Sequence, residues 1–98
     1  MCGAPVGWVS LDDVDVAKES VIVGAVVRDG DPIGGAYVRL LDSDGEFTAE
    51  VVTSATGGFR FFAAPGKWTL RALALGGKGE AVVAAKRGVV AEATIEVA

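Results

Sequence analysis

The sequence predicts an all-β protein, a seven-stranded antiparallel Greek-key β-sandwich over residues 19–98 with an N-terminal arm over 1–18. Three observations predict it. Short runs rich in Val, Ile, Phe, Trp and Thr recur along the chain, at the length of strands rather than helices. Asp-Gly, Gly-Gly and Pro-Gly pairs separate them, where turns demand positive φ or a preset φ. The last run, "VVAEATIEV", alternates strictly, with Val89, Ala91, Ala93, Ile95 and Val97 on one face and Val90, Glu92, Thr94 and Glu96 on the other.

The strands follow in order. "SVIVGAVVR" is β-branched on both faces, and "DGDPIGG" ends it. "AYVRLLD" places Ala36, Val38 and Leu40 together and turns through "DSDG" into the return strand "EFTAEVVTS". Gly57 and Gly58 lead into "FRFFAA", in which Phe59 and Phe61 share a face. Pro65-Gly66 turns the chain into "KWTLRALAL", with Trp68, Leu70 and Ala72 on one side. "GGKG" breaks that run before "EAVVAA" and the final strand. The expected core is Val21, Val23, Val38, Leu40, Val52, Phe59, Phe61, Trp68, Leu70, Ile95 and Val97. Ile22, Val26, Leu41, Phe62 and Leu73 then fall on outward faces, so a cover is expected there, from the arm or from another subunit.

The first 18 residues show no sustained period. Asp12, Asp13 and Asp15 suit the start of a helical turn, and an extended segment with Trp8, Val9 and Leu11 docked on the domain is the other reading. Trp8 is too large and apolar to sit comfortably in water, so a packing partner is expected for it.

Composition narrows the function classes. Ninety-eight residues make one domain. A 51% apolar content and a mean hydropathy of +0.45 leave apolar surface over, which points to a homo-oligomer or a partner. Charges or glycines interrupt every apolar run short of the roughly 18 residues a spanning helix needs, so no membrane partner is expected. A net charge of −4 speaks against nucleic-acid binding, which relies on Lys and Arg neutralising phosphates. The start of the chain lacks a basic and then apolar leader, and the expected location is cytoplasmic.

The chain has no histidine. The commonest general base and metal ligand are therefore missing, and with them any Ser-His-Asp, Cys-His or Cys/His zinc arrangement. There is no G-x-x-x-x-G-K-[ST] loop and no G-x-S-x-G elbow. No cofactor and no metal site are expected. "DSDGE" echoes a calcium loop but lacks its twelve-residue ligand spacing, so turn chemistry explains its acids.

The elements V-G-A-V-V at Val23–Val27, D-G-D-P with G-A-x-V-x-L over Asp29–Leu40, G-x-F-x-F at Gly57–Phe61 and P-G-x-W-T-L at Pro65–Leu70 resemble the carboxypeptidase regulatory-domain-like modules of the transthyretin-like group. That resemblance implies the sandwich, and modules that mostly serve structure or interaction. The hydrolases of the group use histidines and a C-terminal Tyr-Arg-Gly-Ser, whereas this chain has no histidine and ends "IEVA". The stretch "GGAYVRLLDSDGEFTAEVVTSATGGFRFFAAPGKWTLRAL", with the opening "MCGAP", is similar to the SseC-type actinobacterial proteins, a family of unknown function tied loosely to sulfur metabolism. What that implies is company with a thiosulfate sulfurtransferase.

Two functional readings follow. The first is a non-catalytic binding or accessory module acting with a sulfurtransferase, its recognition surface formed by strand edges and the turns "DGDPIGG" and "AAPGKW". Trp8, Phe62, Lys67, Trp68 and Arg71 are its candidate partner-binding residues. Arg39, Arg60, Lys78, Lys86 and Arg87 add positive charge that either protects sheet faces and edges or docks an acidic partner. The second reading makes Cys2, the single thiol, a persulfide-accepting sulfur carrier, against the plain alternative of an incidental residue in a tail. A purely structural oligomeric domain is the third.

Overall fold

The structure is a computed structural model and describes residues 20–98. The boundary expected near Glu19, the arm, Cys2 and Trp8 lie outside the described residues. Among the described residues every regular element is a strand: β1 (Val21–Arg28), β2 (Asp31–Pro32), β3 (Tyr37–Leu41), β4 (Phe47–Val52), β5 (Gly58–Phe62), β6 (Gly66–Ala74), β7 (Gly77–Ala85) and β8 (Val90–Glu96). All seven expected strands form. The eighth, β2, is a two-residue pairing inside the segment the sequence assigns to a turn.

Two sheets face each other. One has the order β4-β3-β6-β7, antiparallel throughout. In the other, β1 is central: β8 pairs along one edge over Val21–Val27, while β5 and then β2 share the other edge. The β1–β8 pairing is parallel, a departure from the wholly antiparallel expectation. The physical reason is connectivity, since β8 arrives from β7 across the sandwich rather than through a hairpin on β1.

The core lies between the sheets. Ile22, Val26, Phe59, Phe61, Ile95 and Val97 from one side meet Val38, Leu40, Leu70, Ala72, Val83 and Ala85 from the other. Phe59 and Phe61 pack ring to ring at 6.0 Å with a 58° tilt. Three expectations need correction. Ile22 and Val26 are core residues rather than outward ones. Val21 and Val23 are fully buried, as expected, but on the face of β1 opposite the core cluster. Val52 is exposed, because it pairs with the outward Tyr37, and Ala49 and Val51 take the inner positions of β4. Trp68 is half-buried at the margin of the core, where its Nε1 donates to the Ala64 carbonyl at 2.8 Å. Leu41 is buried and Leu73 half-buried.

Turn chemistry matches the sequence reading. Asp29 and Gly30 both adopt positive φ between β1 and β2. Asp42 Oδ1 accepts the amides of Asp44 and Glu46 at 2.9 and 3.0 Å, so this carboxylate is engaged by its own loop.

Candidate functional site

Alternation along each strand sends one set of side chains inward and the other to solvent. On the outer face of β4-β3-β6-β7 the register assembles three rows. The first carries Val52, Tyr37, Leu73 and Lys78 across the four strands. The second carries Glu50, Arg39, Arg71 and Glu80. The third aligns Phe47, Leu41, Thr69 and Val82, after a β-bulge between Leu40 and Leu41.

The middle row is a charged ladder. Arg39 Nε donates to Glu50 Oε2 at 2.8 Å, and Arg71 Nε donates to Glu80 Oε2 at 2.6 Å. Each arginine is drawn toward a sheet edge, yet Arg39 and Arg71 themselves stand directly opposite one another on the two central strands. Beside them lies a depression of about 680 Å³ lined by Arg39, Arg71, Leu73, Lys78, Gly79 and Glu80. Apolar groups flank it: Tyr37, Phe47, Val52 and Val82 are each more than half exposed.

The candidate residues do not form one surface. Lys67 and Arg71 share the outer face of β6. Phe62 lies on the opposite side of the sandwich, on the outer face of the β1 sheet, half exposed with the Arg60 guanidinium 5.2 Å from its ring centroid. Trp68 points toward the core margin, between these two faces. The turns expected to act together are also separated. "AAPGKW" is tied to the start of β1 through the Ala63 amide and Ser20 carbonyl, whereas "DGDPIGG" follows its far end at Arg28. Sequence reasoning marked Arg39 as an outward charge and missed its apposition with Arg71, which depends on strand register.

Among the described residues no group of three or more Cys, Asp or Glu side chains converges as a metal site would require. No helix among them is long and apolar enough to cross a membrane.

A fold of this kind, with an open charged and apolar face, can be set against known proteins. The sequence signature of DUF1416, a protein family of unknown function, matches residues 2–97. The chain belongs to the DUF1416 family. Among its relatives are the uncharacterized proteins Rv0814c and Rv3118 of Mycobacterium tuberculosis, each 64% identical over 85 residues, or 85% of either chain. An uncharacterized protein of Mycolicibacterium smegmatis is 57% identical over 86 residues, covering 87% of this chain and 96% of its own. These relatives are actinobacterial. Two crystal structures share the fold: S.CueP, with a TM-score of 0.67 at 13% identity, and a DUF3823 family protein from Parabacteroides merdae, with a TM-score of 0.65 at 19% identity. Each match covers 83% of the DUF1416 chain, which spans 62% of the first structure and 46% of the second.

Proposed function

We propose that this DUF1416 protein is a non-catalytic accessory module that acts through protein–protein contacts in the cytoplasm, with a thiosulfate sulfurtransferase as its partner. One observation carries the reading of a binding module. The outer face of β4-β3-β6-β7 leaves Tyr37, Phe47, Val52 and Val82 exposed around a row containing two arginines. Exposed Tyr and Phe beside Arg is the composition of interface centres rather than of ordinary solvated surface. The sulfurtransferase enters through the sequence resemblance to SseC-type proteins. Self-association belongs to the same reading, because the apolar surface outside the core suits a second copy as well as a partner.

The test is a calorimetric titration of the full-length chain with a purified rhodanese-type sulfurtransferase. A saturable heat with Kd below about 100 μM is expected, and its absence overturns the choice of partner. Light scattering settles self-association, since a monomeric mass at about 100 μM removes it.

The chemistry of a single thiol supports the second reading. In it the Cys2 thiolate attacks the terminal sulfur of the enzyme's cysteine persulfide, the S–S bond breaks, and the enzyme thiolate departs, leaving a persulfide on Cys2. Incubation with the sulfurtransferase and thiosulfate should then add the mass of one sulfur to the wild type and none to Cys2→Ser.

A further inference from the structure

Arg39 and Arg71 oppose each other on neighbouring central strands, an arrangement that costs stability when the charges are alike. Each guanidinium offers five N–H donors. In each, only the Nε–H is engaged by a carboxylate, Glu50 for Arg39 and Glu80 for Arg71. The remaining donors of both groups have no acceptor among the described residues. Lys78, one row away on β7, lines the same depression, and its ammonium has no carboxylate partner among them either. Three cations and one carboxylate thus line a depression on a chain whose net charge is −4.

We infer that the Arg39–Arg71 pair with Lys78 is a carboxylate-receiving site, and that its occupant is an acidic side chain flanked by apolar residues on a partner protein. The inference rests on the accessory-module reading and names the partner's chemistry at that module's docking face. A carboxylate set between the two guanidiniums accepts from donors that are otherwise unused and relieves the repulsion between them. Charge-assisted hydrogen bonds of this kind are shorter and stronger than neutral ones. The positive spot on an otherwise acidic molecule also steers an acidic surface toward it during encounter.

Protein size follows from the shape of the face. A small-molecule site encloses most of its ligand. Here the depression is walled only by side chains standing on a sheet, with Tyr37 and Val52 exposed along one side and Val82 along the other. A flat, apolar-rimmed, arginine-centred face leaves a free anion largely in water. It covers an acidic residue that arrives with apolar neighbours.

The experiment uses the full-length 15N-labelled chain and three probes: a short capped peptide with Glu between two Phe residues, the same peptide with Gln, and sodium acetate. The Glu peptide should shift the Arg39 and Arg71 Nε–Hε signals together with the Tyr37 and Val82 amides. The Gln peptide should bind at least about tenfold more weakly, the loss expected when a charged hydrogen-bond acceptor is made neutral. In the double variant Arg39→Gln/Arg71→Gln, dispersed spectra should persist while the response to the Glu peptide disappears. Equal shifts from the Glu and Gln peptides, or none up to about 10 mM, overturn the site. Acetate acting as strongly as the peptide overturns the protein occupant in favour of a small anion, and peptide shifts that appear only on dilution to monomer assign the face to a second copy. A peptide response without any binding of the sulfurtransferase leaves the site standing and removes only that partner.

Discussion

Gly24, at the centre of β1, sits against the ring of Phe59 on its cross-strand neighbour β5. A Cβ placed on Gly24 would lie 2.5 Å from Phe59 Cζ and closer still to the Ala93 carbonyl oxygen of β8. The glycine therefore lets the largest fully buried side chain of the core settle onto the sheet. Gly24→Ala removes that space with backbone on one side and a packed ring on the other. The strand gains from alanine's lower backbone entropy, by about 0.5–1 kcal/mol. The overpacking, at about 3 kcal/mol, outweighs it. A fall in Tm of about 10 °C or more should result, readable by calorimetry.

The three phenylalanines of β5 separate core from surface within one short strand. Phe59 and Phe61 are 1% and 4% exposed, and Phe62 is 53% exposed. Phe59→Ala should cost about 3–5 kcal/mol in denaturant unfolding, through lost burial and the cavity left behind. Phe62→Ala loses a half-exposed ring and one cation–π contact to Arg60, a loss of about 1 kcal/mol. Comparable losses for the two variants would contradict the assignment of faces.

The same strand shows what the sequence makes legible. Phe59 and Phe61 recur at period two, and turn residues bracket the run, so strand and face both follow from pattern. β1 is different, because Val21, Ile22, Val23 and Val26 are alike in kind and alternation carries no sign. Only Gly24, which shares a face with Ile22 and Val26, hints that the even positions meet the large rings. Val51 and Val52 pose the same ambiguity in β4, and the pairing of Val52 with Tyr37 resolves it. The Arg39–Arg71 apposition belongs to register across two strands about thirty residues apart, a property that no local pattern encodes.

The ladder Glu50–Arg39–Arg71–Glu80 should contribute little to stability. Its side chains are one-third to one-half exposed, and exposed ion pairs yield about 0–1 kcal/mol each. Removing both arginines also removes their mutual repulsion. Arg39→Gln/Arg71→Gln is therefore expected to unfold within about 1 kcal/mol of the wild type in urea. A larger loss would mean the row serves the fold rather than a partner.

Thr53 clasps the two chain segments that cross between the sheets. It follows β4 on the way to β5, and its buried hydroxyl donates to the Ile33 carbonyl at 2.8 Å while accepting the Ala36 amide at 2.9 Å. Its backbone adds two bonds, from its amide to the Ala36 carbonyl and from the Gly35 amide to its own carbonyl. Ile33 to Ala36 is the crossing from β2 to β3, so one side chain fixes where Tyr37 and Arg39 begin their strand. Thr53→Val keeps the shape and deletes the hydroxyl, leaving a buried donor and acceptor unpaired at a cost of about 1–3 kcal/mol. Thr53→Ser keeps both hydrogen bonds and loses one methyl, about 1 kcal/mol. The decisive reading is amide hydrogen exchange at Ala36, which should quicken in Thr53→Val and stay near wild type in Thr53→Ser. Unchanged exchange in both would place the restraint in the backbone bonds instead of the hydroxyl.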